Sequence, residues 1–557
     1  MWVGSALSLF AEHPVLHRTR FSLSTLPLIL LVGLLALPVL ALLASWLPWG
    51  VVQADTGAIL REMASTVLPG YVWTTLWLGL WVAVGAAVVG TATAAAVTLF
   101  EFPGRRVFEW LLLLPLAMPA YVTAYAYTDF LQFSGPLQVG LRETFGLEGR
   151  LLPEVRSLWG AIWVFTFSLY PYVYLLARTA LGERAAHLME AARLLGAPLS
   201  RRITSIALPL ARPAVAAGVA LALMETLADF GVTSYFGIQT FTTGIIKAWL
   251  SMDNRIAAAQ LSTMLLALVL VLLWLEHRAE RRMRFTAKGT GHAGATEAQP
   301  VPLRGLARGL AWGVCTLPVF MGFVAPVAFM LRPLASDWSV LPWSRFLEWA
   351  WNSVRLGGIT AGLAVAVALT LAFAVRRKPD LLTRGVVRLA SVGYAVPGAV
   401  IVVGLLLPVG WVQAHFPHWG VGALVTTTAV GIVWAYLVRF CAVALQSVQS
   451  GYARIPASLD DSARMLGAGS ARLMANVHWP LLRRSTAAAA LLVFVDVMKE
   501  LPATMVLRPF NSDTLAVVAY QLARDERLGE AALPSLALVA VGLVPVILLS
   551  RTLRGRA

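Results

Sequence analysis

The chain has 557 residues, 59% of them hydrophobic and 13% charged, with a net charge of +16 and a mean hydropathy of +0.74. Soluble domains carry about 25% charged residues, so this composition excludes a soluble enzyme and places the chain in a bilayer. The basic surplus falls in alternate loops, the signature of positive-inside topology rather than of a nucleic-acid surface, and Cys315 and Cys441, far apart and inside apolar runs, provide neither a disulfide framework nor a zinc site.

The first apolar run, near Leu26 to Leu47, is long enough to span, and no clear small-residue cleavage site follows it, so it reads as a span and not a signal peptide. His17, Arg18 and Arg20 precede it and place the N-terminus in the cytoplasm. Spans are expected near 25–46, 71–99, 107–131, 158–177, 213–230 and 258–276, then near 306–331, 350–375, 387–408, 421–447, 485–505 and 530–550. About 20 residues suffice for a spanning helix, and lipid leaves no partner for an open backbone, so the spans must be helical. The expectation is an all-α polytopic membrane protein of about twelve helices. The clusters at Arg105–Arg106, Arg178–Arg202, Arg278–Arg284, Arg376–Lys378, Arg483–Arg484 and Arg551–Arg556 all fall on one side of this topology, with both termini. The first two loops on the other side are nearly neutral.

The chain repeats itself. Trp73 to Gly79 parallels Trp351 to Gly357, and Pro119 parallels Pro397, both at an offset of 278. Two polar segments interrupt the apolar runs. One, 190–209, carries Glu190, Ala191, Ala192 and Gly196 and ends at Pro209. The other, 461–480, carries Asp461, Ala463 and Gly467 and ends at Pro480. Thirteen positions separate glycine from proline in each, and the offset between the two segments is 271. Equal internal spacing marks a duplication. Six spans per half, an even number, make the copies parallel, related by an axis along the membrane normal. The halves are 1–276 and 305–557. The join, 277–304, contains Gly289, Gly291, Gly294, Pro300 and Pro302 and reads as a cytoplasmic linker.

The segment Glu190-Ala191-Ala192, with Gly196 and then Ile206-Ala207-Leu208-Pro209, resembles the EAA loop of ABC importer permeases. The second copy is degenerate, with Asp461 for Glu, Ser462 for Ala and Val477 for Ile. The resemblance implies the type I importer permease fold and a coupling helix in each loop that docks on a cytoplasmic ATPase. The residues suit that role. Arg193 lies three positions after Glu190 and can pair with it. The alanines allow close approach, and Gly196 can stop the helix. Pro115 to Val122, Glu225 to Gly231 and Lys499 to Thr504 resemble the ferric-iron branch, in which one chain carries both halves. Related branches move thiamine, phosphonates, sulfate or polyamines. The implied complex has one permease chain, two copies of the ATPase with ATP and Mg on them, and a periplasmic binding protein, in the bacterial inner membrane.

Other candidates carry less. Gly289 to Gly294 matches G-x-G-x-x-G but lacks the strand and helix of a dinucleotide fold, and no G-x-x-x-x-G-K-[ST] occurs. A partner must therefore bring the nucleotide site. His13 and His17 flank Pro14, His415 and His418 flank Pro417, and neither pair has a third ligand. The intramembrane charges are more informative: Glu225 and Asp229 in the fifth span, Asp496, Lys499 and Glu500 in the eleventh, again at an offset of 271. Acids four apart share a helical face. Two readings stand: they face a wet pathway between the halves, or Lys499 neutralises an acid structurally. Hard cations prefer oxygen ligands, which these acids and Tyr121, Tyr125 and Tyr127 offer, although tyrosines at span ends are commonly interface anchors. No metal-ligand set is assigned. From another class, an ion-coupled secondary transporter also uses repeats and buried acids, but it has no reason to carry two matched coupling loops. A membrane enzyme lacks a catalytic set.

Overall fold

The computed structural model describes residues 26–46, 56–182, 186–287, 300–336, 338–339, 341–377 and 380–554. His13, His17, Arg184, the glycine-rich run 289–294, Asp337 and Lys378 lie outside the described residues.

In the first half, α1 (Leu26–Ala44) and α2 (Leu68–Leu99) are apolar on every face, as helices in lipid must be. The strand β1 (Phe100–Glu101) follows. Arg105–Leu111 and a tight turn, Leu114–Ala117, lead to α3 (Ala120–Leu131). Then come α4 (Leu158–Ala180), α5 (Ala186–Leu194), α6 (Leu208–Ala228), the short α7 (Gly231–Tyr235) and α8 (Arg255–Ala287). Helix α8 therefore continues eleven residues past the expected span end at 276. The second strand is β2 (Val301–Pro302).

The second half repeats the order. It comprises α9 (Leu306–Val319), α10 (Ala325–Ser336), α11 (Trp343–Arg377), α12 (Gly398–His415), α13 (Ala429–Tyr452) and α14 (Ala457–Met465). It ends with α15 (Trp479–Lys499), α16 (Pro502–Leu507), α17 (Leu515–Arg524) and α18 (Leu528–Arg554). The register of the duplication is kept even at helix starts. Ser157 caps α4 by accepting the Gly160 amide at 3.2 Å, and Thr428, 271 residues on, caps α13 by accepting the Val430 amide at 3.2 Å.

Among the described residues, ten helices are long and apolar enough to cross a membrane, or eleven when one bent pair counts as a span. The bent pair is the expected third span. Its pieces, Arg105–Ala117 and Ala120–Phe145, meet at 88°. Pro119 stands between them at φ −59° and ψ 141°, an extended geometry that cannot continue a helix. Pro397 breaks the ninth expected span the same way, so its helix starts at Gly398 and not near 387. The expected eleventh span, 485–505, corresponds to α15. Its charges, Arg483, Arg484, Asp496 and Lys499, keep it out of the apolar count, and it ends at Lys499. The expected fifth span starts earlier than 213, because the helical path runs unbroken from Leu199.

Packing groups the chain into two compact units that do not follow chain order. The first comprises the chain up to Met63, Ile245–Leu266 and Leu347–Val517. Within it α1 lies on α12 and α13: Trp434 Nε1 donates to the Leu34 carbonyl at 3.0 Å, and the Pro38 backbone sits where a side chain at Gly404 would be. Gln260 of α8 donates to the Thr56 carbonyl at 2.8 Å. The second unit comprises Ala64–Gly244, Ala267–Phe346 and Val518–Ala557. Within it Trp312 of α9 donates to the Pro103 carbonyl at 2.9 Å and meets Phe108 edge-on at 5.0 Å. Tyr127 Oη donates to the Met321 carbonyl at 2.7 Å. Strand β2 pairs in parallel with β1, and the Leu303 amide donates to the Glu101 carbonyl at 3.0 Å. Each unit thus combines the central helices of one sequence half with outer helices of the other. The division into 1–276, 277–304 and 305–557 describes the repeat along the chain; packing cuts it differently.

Candidate coupling site

The two polar segments fold alike, residue for residue. Helix α5 stops at Gly196, φ +77°, and α14 stops at Gly467, φ +79°. The Ala197 amide closes on the Ala192 carbonyl at 2.9 Å, and the Ala468 amide on the Ala463 carbonyl at 3.0 Å. A left-handed residue with this six-residue closing bond is a Schellman ending, and glycine takes that conformation without a Cβ penalty. Nothing lies within 4 Å of a Cβ placed at either glycine, so the requirement is conformational and not one of space. A short helical turn follows in each copy, then a widened turn, Ile203–Ala207 and Met474–His478. Pro209 and Pro480 come next, in the first turn of α6 and α15, where a missing N–H is tolerated.

Glu190 pairs with Arg193 at 3.6 Å and Asp461 with Arg464 at 3.1 Å, all four exposed. Such pairs contribute little to stability. Ala192 and Ala463 are half-buried; Ala191 and Ser462 face outward. The structure adds four residues that the sequence reading did not single out. Leu194 and Leu195 are 83% and 87% exposed at the tip of the first segment, and Met465 and Leu466 are 89% and 86% exposed at the tip of the second. Two large apolar side chains beside a glycine stop, presented twice at an offset of 271, form a surface suited to burial by a partner. The signal was present in sequence as an apolar pair directly before each glycine.

The segments are anchored differently. In the second unit Met189 is buried in an apolar cluster with Leu99, Leu181 and Ala207. In the first unit the equivalent residues are polar. Asp460 is 3% exposed and His478 is fully buried. Arg376 donates to Asp460 Oδ2 at 2.8 Å, His478 Nε2 lies 3.0 Å from Oδ1, and Tyr452 Oη lies 3.2 Å from His478 Nδ1. A carboxylate only accepts, so Nε2 carries a proton toward Asp460. Burial pushes the Asp460 carboxyl up, but hydrogen bonds and charge from Arg376 and His478 outweigh it and hold the group below the ordinary carboxylate range.

The intramembrane acids occupy helix breaks. Asp229 and Glu500 are not on the faces of α6 and α15, as the spacing suggested, but are the first residues past the helix ends, at ψ 133° and 126°. Each caps the short helix that follows. Asp229 Oδ1 accepts the Val232 amide at 2.9 Å and the Thr233 amide at 3.4 Å. Glu500 accepts the equivalent amides of Ala503 and Thr504 at 3.1 and 3.0 Å, and the Thr504 hydroxyl at 2.9 Å. The ion-pair partner of Glu500 is Arg439 of α13, at 3.1 Å. The sequence reading missed that arginine, although a lone charge inside the 421–447 span was its signal. Gly398 makes the pair possible: a Cβ there would lie 2.5 Å from Glu500 Oε1 and 3.0 Å from Arg439 Nη1. Glu225, Asp496 and Lys499 remain within α6 and α15, each half-buried. Among the described residues no three His, Cys, Asp or Glu side chains converge as metal ligands.

A repeated bundle of apolar helices with two equivalent loop helices, each ending in an exposed apolar tip, defines the membrane subunit of a transporter that works with a partner. Residues 86–285 match the family described as binding-protein-dependent transport system inner membrane component. The Fe(3+)-transport system permease protein FbpB 2 of Haemophilus influenzae is 27% identical over 86% of this chain and 88% of its own. A probable ABC transporter permease, y4fN of Sinorhizobium fredii, is 24% identical over 86% of this chain and 87% of its own. The ferric transport system permease protein FbpB of Actinobacillus pleuropneumoniae is 22% identical over 84% of this chain and 68% of its own. The chain is thus similar, over most of its length, to importer permeases, which are transport subunits. Such a component sits in the inner membrane and works with an ATPase and a periplasmic binding protein. The matched range includes the first polar segment, 190–209; the degenerate second, 461–480, lies beyond it.

Proposed function

We propose that this chain is the translocation subunit of a ferric-iron importer. The observation that carries the ATP-driven part is the pair of equivalent segments at 190–209 and 461–480, with their glycine stops and exposed apolar tips. Each segment receives one copy of the ATPase, so a single permease chain serves two copies, with ATP and Mg held by them. Burying a leucine-sized side chain contributes roughly 1.5–3 kcal/mol, so each tip supplies a substantial part of a docking interface. The basic loop clusters orient both termini, the linker and both segments toward the cytoplasm. Iron as cargo rests on the relatives named for ferric transport, which align with the chain over most of its length.

Each unit also carries a broken span with an acid at the break, Asp229 in one and Glu500 in the other. Discontinuous helices of this kind form substrate sites in transporters. Glu500 is held by a cation and three donors, so it serves as a fixed cap. The experiment is uptake into proteoliposomes holding the permease and its ATPase, fed by the cognate binding protein loaded with ferric iron, phosphonate or thiamine in turn. ATP-dependent accumulation of iron alone is the expected result. Accumulation of another cargo overturns the iron assignment, and accumulation without ATPase overturns the ATP-driven one.

A further inference from the structure

The polar anchor of the second coupling segment borders a cavity of about 260 Å³ in the first unit. Arg376, Arg377, Arg464, Asp460 and Ser470 line it, with Phe373 and Leu473 closing its apolar side. Three guanidiniums face one carboxylate. That carboxylate is already engaged by Arg376 and His478. Arg464 spends its charge on the exposed Asp461, a weak partner, and Arg377 makes no ion pair among the described residues. The cavity therefore holds an excess of positive charge.

The first half shows that the fold does not require this. The positions equivalent to Arg376, Arg377, Asp460 and Gly469 are Thr98, Leu99, Met189 and Pro198. There, Leu99 and Met189 share the apolar cluster. Arg464 keeps a counterpart in Arg193 and Leu473 is matched by Arg202, so the copies differ at Arg376, Arg377 and Asp460, where the first has Thr98, Leu99 and Met189. Arg377 and Arg464 are exposed and Arg376 is partly buried, so this charge is solvated and not stranded, and its concentration around one recess favours an anion there. The recess is smaller than the roughly 300–1,000 Å³ of drug-sized pockets, which suits a single compact group. Arg377 ends α11, whose 35 residues extend about 52 Å at 1.5 Å per residue. That exceeds the ~30 Å hydrocarbon core, so the cavity lies where a spanning helix leaves the lipid.

We propose that this cavity is a binding site for a phosphate group, supplied by an anionic phospholipid headgroup or by a soluble phosphate, on the coupling-segment side of the membrane. Guanidinium forks match phosphate oxygens in geometry as well as charge, and basic pockets at helix ends hold phospholipid headgroups. The site anchors the second segment only, so occupancy stiffens one coupling helix and leaves the other untouched.

The test uses the full-length permease in nanodiscs without the ATPase, read by its thermal midpoint. In discs of neutral phosphatidylcholine, inorganic phosphate is titrated against chloride at matched ionic strength. In a second series, phosphatidylglycerol replaces part of the neutral lipid. A midpoint raised by phosphate identifies a soluble ligand; one raised by phosphatidylglycerol alone identifies a headgroup. In either case Arg377→Gln with Arg464→Gln should demand at least tenfold more ligand, Arg377→Lys should keep most of the response, and Arg201→Gln in the first segment should change nothing. Should the double variant fail to fold, Arg377→Gln alone decides, because Arg377 is exposed. No rise with either ligand in the unaltered protein, or an unchanged titration in the glutamine variant, overturns the proposal. A recess that accepts only an acidic side chain of the ATPase gives that first, negative outcome.

Discussion

His478 Nε2 lies 3.0 Å from Asp460 Oδ1, and both side chains are buried beneath the second coupling helix. Removing the acid leaves Arg376 and His478 without their acceptor. Breaking a buried pair destabilises by about 3–5 kcal/mol; Asp460→Ala should fall in the lower part of that range, because Arg376 is partly exposed. The equivalent Met189→Ala should cost about 2–4 kcal/mol by cavity formation, with no dependence on pH. The pH dependence of Asp460 has a definite sign. Its folded pKa lies below the ordinary value, so its contribution is whole above roughly pH 4 and is lost as pH falls through the folded value. Thermal midpoints between pH 3 and 7 should show this acid limb in the unaltered protein and lose it in Asp460→Asn. An identical limb in both proteins would show that Asp460 contributes nothing to it.

The glycine stops should answer to conformation, not bulk. At φ +77° and +79° an L-residue is strained by roughly 1–2 kcal/mol, and asparagine tolerates that region best. Gly196→Val and Gly467→Val should each reduce recovery of the ATPase from membranes, with Gly196→Asn and Gly467→Asn much milder. Membrane insertion should be unchanged in all four. Equal recovery with valine and asparagine would refute the left-handed stop as the reason for glycine.

The exposed tips should behave in the opposite way, affecting docking without stability. Leu194→Ser with Leu195→Ser, and Met465→Ser with Leu466→Ser, leave the isolated permease at its normal midpoint, because these side chains lose no contact in the free chain. Each pair should weaken ATPase binding at least tenfold, about 1.4 kcal/mol or more. Co-purification with titrated ATPase reads this directly, and full binding by both tip variants would remove the docking assignment.

Glu500 should prove a structural residue. Glu500→Gln strands Arg439 in the span, and the yield of folded protein should drop sharply, with uptake per folded molecule little changed. Arg439→Met alone should also lower the yield, whereas Arg439→Met with Glu500→Gln should recover part of it, the mark of coupled partners. Gly398→Ala should reproduce the defect by pushing the pair apart. Asp229→Asn, which keeps an oxygen for the Val232 and Thr233 amides, should fold well. Normal folding with lost uptake in Glu500→Gln would return this acid to the transport pathway.

Topology can be read by cysteine labelling. Cys315 and Cys441 are buried, so added thiols stand out against a quiet background. Reagent applied from outside should reach sites near Glu148 and Asp525 and miss one near Gly291. Labelling near Gly291 from outside would reverse the assigned orientation.

Much of this arrangement was legible in the chain because duplication writes every feature twice. Gly196 and Gly467, Pro119 and Pro397, Asp229 and Glu500 each announced themselves by a partner at a fixed offset. What the acids do was not legible. Spacing places Glu225 and Asp229 on one helical face only if the helix continues, and it stops between them, where the Asp229 carboxylate captures amides of the next turn. Arg439 has no charged counterpart in the first half, so the repeat gave no hint of it. The exchange of outer helices was hidden for another reason: a helix apolar on every side carries no mark of its neighbour. The Asp460–His478 contact joins residues eighteen apart across a loop, and only the fold brings them together.

The exchanged helices decide what a cut in the linker would do. A chain severed near Gly291 yields two polypeptides, neither of which contains a whole compact unit, so each alone should be a poor substrate for folding and a good one for proteolysis. Made together, they hold every segment both units require, but must now meet as separate molecules in the membrane. Covalent fusion turns that encounter into an intramolecular step with a fixed effective concentration. One gene product therefore sets the ratio of the two halves and makes permease assembly independent of how much is expressed.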